Sequence, residues 1–432
     1  MDPQDVARLQ FAVTSSIHYM FVALTLGLVA IVVIVQTRWT ITRQPLLERM
    51  TKFWGQLYVI NYALGIVTGL VMEFQLGLNW AGLTSFSEVF GVGLAVETLT
   101  AFFLESVFLG LWIFGWGRLN RWVHLALIWL VAITAYLSAF WVLVANSFMQ
   151  HPVGHTTVDG RMVVGGLTAL LANPTLWTTL PHVVTASLTT GVFVVAGVSA
   201  YHLWRGTAAT DFFIRSLRLA GWLAPVVAPL TVTFGLNQFP LILEEQPTKL
   251  VATQPELAAE QERRFVEQFG PDDYLPSATP LAVAEHLMFF IGLLLALLSI
   301  VTAFALIRRA IVRSRLLRPL LVVLVAAIPL PFVANASGWI FREYGRQPWA
   351  IYGVLRVDDA VSPGVSTGAM LTSLVLFTVL LATLAVINCA LLIRHARRGP
   401  EGWLIGDPID AYGEHRPLSE RALALSGKDN AP

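Results

Sequence analysis

Few residues in this chain could do chemistry, and those few stand inside apolar stretches. Glu97 and Glu105 interrupt "GVGLAVETLTAFFLESVFLGLWIFGW" eight residues apart. On an α-helix that spacing gives roughly 80° of rotation and about 12 Å of rise, so both carboxylates face one seam. Two acids stacked this way suit a proton path or the edge of a heme site. The plainer alternative is that each is a protonated acid bonded to a neighbouring helix. His18 lies in "RLQFAVTSSIHYMFVALTLG" and His182 in "TTLPHVVTASLTTG". An imidazole there either ties helices together or ligates a metal, and neutral imidazole is a common heme ligand. His286 and Met288 stand two residues apart in "PLAVAEHLMFFIGLLLAL". They point about 200° apart on a helix and cannot serve one metal from one face. A methionine there is ordinary packing unless something demands a soft sulfur ligand. Last, "FREYGRQPWAI" at 341–351 sets Arg342, Glu343 and Arg346 between two apolar spans.

Membrane-spanning helices must position these groups. The 432 residues are 56% hydrophobic and 13% charged, with a mean hydropathy of +0.67. Roughly 20 apolar residues cross a hydrocarbon core of ~30 Å. Nine stretches qualify, at about 14–36, 54–75, 92–116, 123–147, 179–203, 217–238, 280–307, 319–337 and 366–393. The fold expected is an all-α integral membrane protein. With the N-terminus outside, 20 of the 28 Lys and Arg fall on the inner side, among them the run Arg308, Arg309, Arg313, Arg315 and Arg318. That bias predicts a cytoplasmic C-terminus and puts His18 and His182 near the outer ends of their spans. Residues 1–398 read as the membrane domain. Within it the polar segment 239–278 falls outside, is too long for a passive turn, and reads as partly helical and mobile. From about 399 to 432 the chain reads as a disordered cytoplasmic tail. No basic n-region opens the sequence, so no cleaved signal peptide is expected. The lone Cys389 excludes disulfides and thiolate metal sites. No basic patch or RNA motif points to nucleic acid, and the lack of an internal repeat counts against inverted-repeat transporters.

Several stretches, in order, carry a likeness: "RLQFAVTSSIHYMFVALTLGL" at 8–28, "GLVMEFQLGLNW" at 69–80, "FGVGLAVETLTAFFLESVFLGLWIFGW" at 90–116, "FWVLVANSFMQHPVG" at 140–154, "QPTKL" at 246–250 and "WIFREYGRQPWAI" at 339–351. They resemble subunit I of the cytochrome bd quinol oxidases over nearly the whole chain, and GRQPW with its upstream glutamate and tryptophan is highly specific. The resemblance implies an oxidase in the bacterial cell membrane that takes electrons from quinol on the outer side and reduces O2 to water. It would add to proton motive force by drawing protons from inside, without pumping. Three hemes are implied: a low-spin heme b, a high-spin heme b, and a heme d or further heme b where O2 binds. His182 and Met288 match the low-spin ligands. His18 and Glu343 match the ligands of the two high-spin hemes, in either assignment, with Glu97 and Glu105 as the acidic pair beside them. Arg346 and Arg8 are candidate propionate partners, and Trp339 and Trp349 can pack porphyrin edges. Lys249 matches the lysine of the quinol loop. Partners implied are subunit II, small single-helix accessory subunits, membrane quinol and O2. The chemistry agrees: a His/Met pair saturates an iron for electron transfer, one protein ligand leaves a position open, and propionates favour arginine.

Two positions depart from the family pattern. Five residues after Lys249 the family commonly has a glutamate, where this chain has Gln254; Glu256, two further on, is the nearest substitute acid and the expected catalytic partner of Lys249 in quinol oxidation, with Glu244 and Glu245 upstream. Two residues before the methionine the family often has arginine, where this chain has His286. Rival readings are a proton-coupled carrier working through Glu97 and Glu105, and a heme-binding electron-transfer subunit without oxygen chemistry.

Overall fold

The computed structural model describes residues 3–158, 161–307 and 318–407. The basic run from Arg308 to Arg315 and the tail beyond 407 lie outside the described residues. Among the described residues nine helical spans are long and apolar enough to cross a membrane, one for each stretch expected. They are built from α1 (Pro3–Thr42), α2 (Pro45–Asn79), α3 (Ser87–Thr98) with α4 (Ser106–Phe114), and α5 (Arg121–Gln150). After a β1–β2 hairpin (His155–Val158, Arg161–Val164) and the short α6 (Leu167–Leu171) come α7 (Pro174–Arg205) and α8 (Thr210–Leu236). Next are α9 (Phe239–Glu245), α10 (Pro255–Phe269) and α11 (Ala278–Ile307). The chain closes with α12 (Arg318–Ala326), α13 (Leu330–Tyr344), the β3–β4 ribbon (Trp349–Ile351, Leu355–Arg356), α14 (Val357–Ala360) and α15 (Thr367–Arg398). The helices outrun the apolar stretches, because backbone hydrogen bonding does not stop where apolar composition does. α1 alone has 40 residues.

α1 is the central post, packed against α2, α5, α7, α13 and α15. Its crossing with α7 depends on two glycines. A Cβ on Gly27 would lie 2.2 Å from the Ser187 carbonyl oxygen, and one on Gly191 would lie 2.5 Å from the Gly27 carbonyl carbon. Small residues allow such backbone approach in membranes, where dispersion rather than the hydrophobic effect drives helix pairing. His18 and His182 each stand nine residues before the crossing glycine. On two odd-numbered spans running the same way, that sets both imidazoles about 13.5 Å to the same side of the crossing.

Three local features differ from the sequence reading. Between Glu97 and Glu105 the helix is not α: Leu99–Glu105 forms a π segment. Its i→i+5 bonding changes the turn angle, so the eight-residue argument for one seam does not apply as stated. Segment 239–278 is partly helical, through α9, a 3₁₀ turn at Pro247–Leu250 and α10. It is also fastened down: Phe265 and Tyr274 pack on Trp349, Thr248 bonds the Tyr352 hydroxyl at 2.8 Å, and Arg356 holds Asp272 at 2.6 Å. The boundary expected at 399 is not kept. Residues 399–407 pack against the bundle, with Leu404 and Ile405 buried and Asp407 held by Arg49 at 2.9 Å and Lys52 at 3.2 Å.

Candidate active site

Two cavities lie on the histidine side of the α1–α7 crossing. The first, of about 370 Å³, is walled by α7, α8, α11 and α13 and roofed by the 239–250 segment; its lining includes His182, Met288, Arg342 and Lys249. His182 Nδ1 stands 2.9 Å from the Thr231 carbonyl oxygen. A carbonyl only accepts, so Nδ1 carries the hydrogen and Nε2 keeps a bare lone pair, the form that ligates a metal. Met288 lies on the facing helix. Glycines give both side chains room: a Cβ on Gly235 would come 3.1 Å from the His182 ring, and one on Gly338 would come 2.9 Å from the Met288 sulfur.

The second cavity, of about 270 Å³, is lined by His18, Glu73, Glu97, Glu105, Ser138 and Asn146 among others. Thr68 donates its hydroxyl hydrogen to the Gly65 carbonyl at 2.7 Å, so toward His18 Nδ1, at 2.8 Å, it accepts. His18 therefore also presents a bare Nε2. Despite the π segment, both expected acids reach this cavity. Glu97 accepts from Ser138 at 2.7 Å, Glu105 from the Tyr58 hydroxyl at 3.0 Å, and Glu73 from Thr98 at 2.8 Å. Tyr19, Val183 and Trp339 line both cavities. Tyr19 and Trp339 are stacked there, with ring centroids 5.1 Å apart.

Glu343 sits at the end of α13, 2% exposed, and lines neither cavity. Oε1 accepts from Asn146 at 2.8 Å and Gln150 at 3.1 Å, and Oε2 from Arg346 at 2.8 Å. Three donors against about four lone-pair sites leave one place open. Gln150 also accepts from Lys249 Nζ at 2.5 Å, and its carbonyl accepts from Gln246 at 2.6 Å. Arg342 donates to Asn146 at 2.6 Å and to Thr179 at 3.0 Å. Burial, opposed by Glu343, holds the Arg346 guanidinium below its ordinary range.

Heme groups fit these residues on three counts. Two bare imidazole nitrogens and a thioether face enclosed space. Arg346 Nε and Nη1 and Arg342 Nη2 are buried with no partner among the described residues. A buried guanidinium N–H left unpaired is costly, so these await an anion such as a propionate. Third, the first cavity draws a nitrogen and a sulfur ligand from facing helices, and the second offers the His18 imidazole, with the thioethers of Met72 and Met149 also in its lining.

The structure does not bring every expected residue to the cavities. Arg8 pairs with Asp358 at 3.7 Å, Trp349 belongs to an aromatic cluster with Phe265, Phe269 and Tyr274, and Glu256 is exposed in the first turn of α10. Trp349 is taken up by the folded 255–278 segment, which spacing cannot place and which lies over the β3–β4 ribbon. His286 faces outward, exposed and stacked on Phe290. Sequence reasoning missed Glu73, Asn146, Gln150 and Glu285. Glu73 carried a readable signal, as an acid within an apolar span.

Comparison with known proteins is consistent along the chain. The family model described as cytochrome bd terminal oxidase subunit I matches residues 6–270 and 264–400. The chain is 35% identical to the cytochrome bd ubiquinol oxidase subunit 1 of Bacillus subtilis, over 92% of this chain and 94% of that one. It is 29% identical to the cytochrome bd-II ubiquinol oxidase subunit 1 of Escherichia coli, over 95% of this chain and 100% of the relative. The solved bd oxidase from Geobacillus thermodenitrificans superposes with a TM-score of 0.80 at 26% identity, covering 92% of this chain and 99% of that one.

Proposed function

Because this chain belongs to the cytochrome bd terminal oxidase subunit I family, we propose that its two cavities divide the work of a quinol oxidase between electron entry and oxygen reduction. The protein is a multi-pass subunit of the bacterial plasma membrane, carrying heme and acting on quinol in complex with subunit II. His182 and Met288 would hold a low-spin heme b. His18 and Glu343 would ligate the high-spin heme b and the oxygen-binding heme, a heme d or a further heme b. Bound there, the hemes supply electron transfer and reduction of O2 to water. The observation that carries the reading is the pair of facing ligands in the first cavity: a bare Nε2 on α7 and the Met288 sulfur on α11, each next to a glycine.

The chain's own residues then handle protons and anions. Lys249 offers an N–H to a quinol oxygen at the roof of the first cavity. Glu97 and Glu105 hold protons at their Oε2 atoms for delivery into the second, each kept in place by a hydroxyl that donates to Oε1. Arg342 and Arg346 offer their free N–H groups to propionates. In this reading the N-terminus and the 239–278 segment are outside, protons enter from the cytoplasm without pumping, and single-helix accessory subunits complete the assembly. Visible spectroscopy with heme extraction on the purified complex tests it: low-spin b bands and a carbon monoxide-reactive high-spin signal are expected. A preparation without heme bands would favour a carrier, and one without carbon monoxide reactivity an electron-transfer subunit.

A further inference from the structure

Oxidising a quinol requires somewhere for its protons to go, and the loop acid common in the family is replaced here by Gln254. Glu256 does not reach the first cavity. Among the described residues two carboxylates do line it, Glu245 and Glu285. Glu245 is engaged by His151 at 3.1 Å, whereas no described residue forms a hydrogen bond or ion pair with Glu285. Glu285 stands three residues before Met288 on α11, hence on the same helix face and about 4.5 Å nearer the loop. One turn back is Leu281, which shares with Lys249 the space around Gly345: a Cβ there would come 2.9 Å from Lys249 Cγ and 3.2 Å from Leu281 Cδ2. The free carboxylate thus lies on the cavity wall between the level of the loop lysine and that of the sulfur ligand.

We propose that Glu285 is the proton acceptor for quinol in this chain, replacing the loop carboxylate that Gln254 cannot supply. The inference rests on the reading that quinol is oxidised at the first cavity. Lys249 donates to one quinol oxygen, and a hydroxyl donates to the Glu285 carboxylate. As each electron leaves to a one-electron oxidant, which the ferric heme that His182 and Met288 would hold could supply, the quinol O–H bond breaks and an O–H bond forms on Glu285. The proton passes from there to the exposed side of α11. Two such steps leave quinone, two protons and two electrons.

The test uses the purified complex and a redox-inert phenolic analogue of quinol, with binding measured by calorimetry and turnover by oxygen uptake. Glu285→Gln is expected to weaken analogue binding about tenfold or more, the scale of a hydrogen bond to a charged acceptor. It should also abolish the part of the binding pH profile that tightens as an acid ionises, while dithionite still reduces every heme. Glu285→Asp should recover part of both. Lys249, Arg342, Glu245 with His151, and His182 face the same space, and His286 shares the helix, so the profile is read as wild type minus Glu285→Gln. The proposal is overturned if Glu285→Gln binds the analogue with the wild-type affinity and profile, or if Glu256→Gln or Glu245→Gln carries the loss instead. Should wild type fail to bind the analogue, or Lys249→Ala leave binding unchanged, the quinol site itself is misplaced and the inference falls with it.

Discussion

The two cavities share a wall of Tyr19, Val183 and Trp339, yet their linings differ in kind. The His182 cavity has an imidazole and a thioether on facing helices, with the cations Arg342 and Lys249 and the acids Glu245 and Glu285 also in its lining. The lining of the His18 cavity holds one imidazole, the thioethers of Met72 and Met149, and three carboxylates that accept from nearby hydroxyls. Two ligands fill an iron's axial positions and make it a relay, whereas a single ligand leaves a position for a small molecule. The surrounding groups follow the same division. Cations suit propionates and the oxygens of a quinol, while acids with hydroxyl partners suit delivery of protons to reduced oxygen. In the proposed reading one helix bundle would run two chemistries by changing iron ligands and surrounding groups, not fold.

The comparison breaks most completely at His182. Replacing it with Ala should empty the first cavity of its low-spin heme and cut quinol-driven oxygen uptake on the order of a hundredfold. Reduced spectra should retain the high-spin bands, and a simultaneous loss of both would show that the cavities are not independent. On the other side, Glu97→Gln and Glu105→Gln should each lower oxygen reduction roughly a hundredfold, within the usual range for a proton-transfer group. The low-spin heme should stay reducible by quinol. Wild-type turnover in both variants would remove the acids from the mechanism.

How much of this was legible in the sequence depended on distance along the chain. The nine spans followed from composition, and the placing of His18, His182 and Met288 beside enclosed space from residue type and matching short stretches. What could not be read were contacts across the fold: Glu343 meets Gln150 at a separation of 193 residues, and Gln150 meets Lys249 at 99. Nor could spacing foresee the π segment, since both acids keep the same sequence interval in either helix type. For Trp349 the motif gives residue type, while the folded 255–278 segment decides what the ring touches.

Smaller effects sharpen the contrast. Burial first, and Arg342 second, hold the Lys249 amine well below the usual lysine range. A depressed amine is favoured neutral in the fold. Its stabilising contribution is full above the unfolded value of about 10.4 and is lost as pH falls through the folded value. Lys249→Met, which cannot take up the proton, should therefore gain in thermal midpoint over wild type as pH is lowered from about 10.4 toward neutrality. A pH-independent difference would mean that the amine is solvated. Gly338→Ala should have the mildest consequence. Its Cβ would press on the Met288 sulfur, an overpacking cost of about 1–3 kcal/mol. A lower potential of the low-spin heme is expected, without loss of the high-spin bands.

The central claim is that ligand number separates the cavities, and counting carbon monoxide tests it most directly. In the reduced wild-type complex the gas should bind only at high-spin iron, leaving the His182–Met288 heme unreactive. Met288→Leu keeps side-chain volume and should cost less than about 1.5 kcal/mol in packing. It should turn the low-spin spectrum high-spin and raise the carbon monoxide bound by one equivalent per complex. An unchanged low-spin spectrum and an unchanged count in Met288→Leu would contradict the assignment.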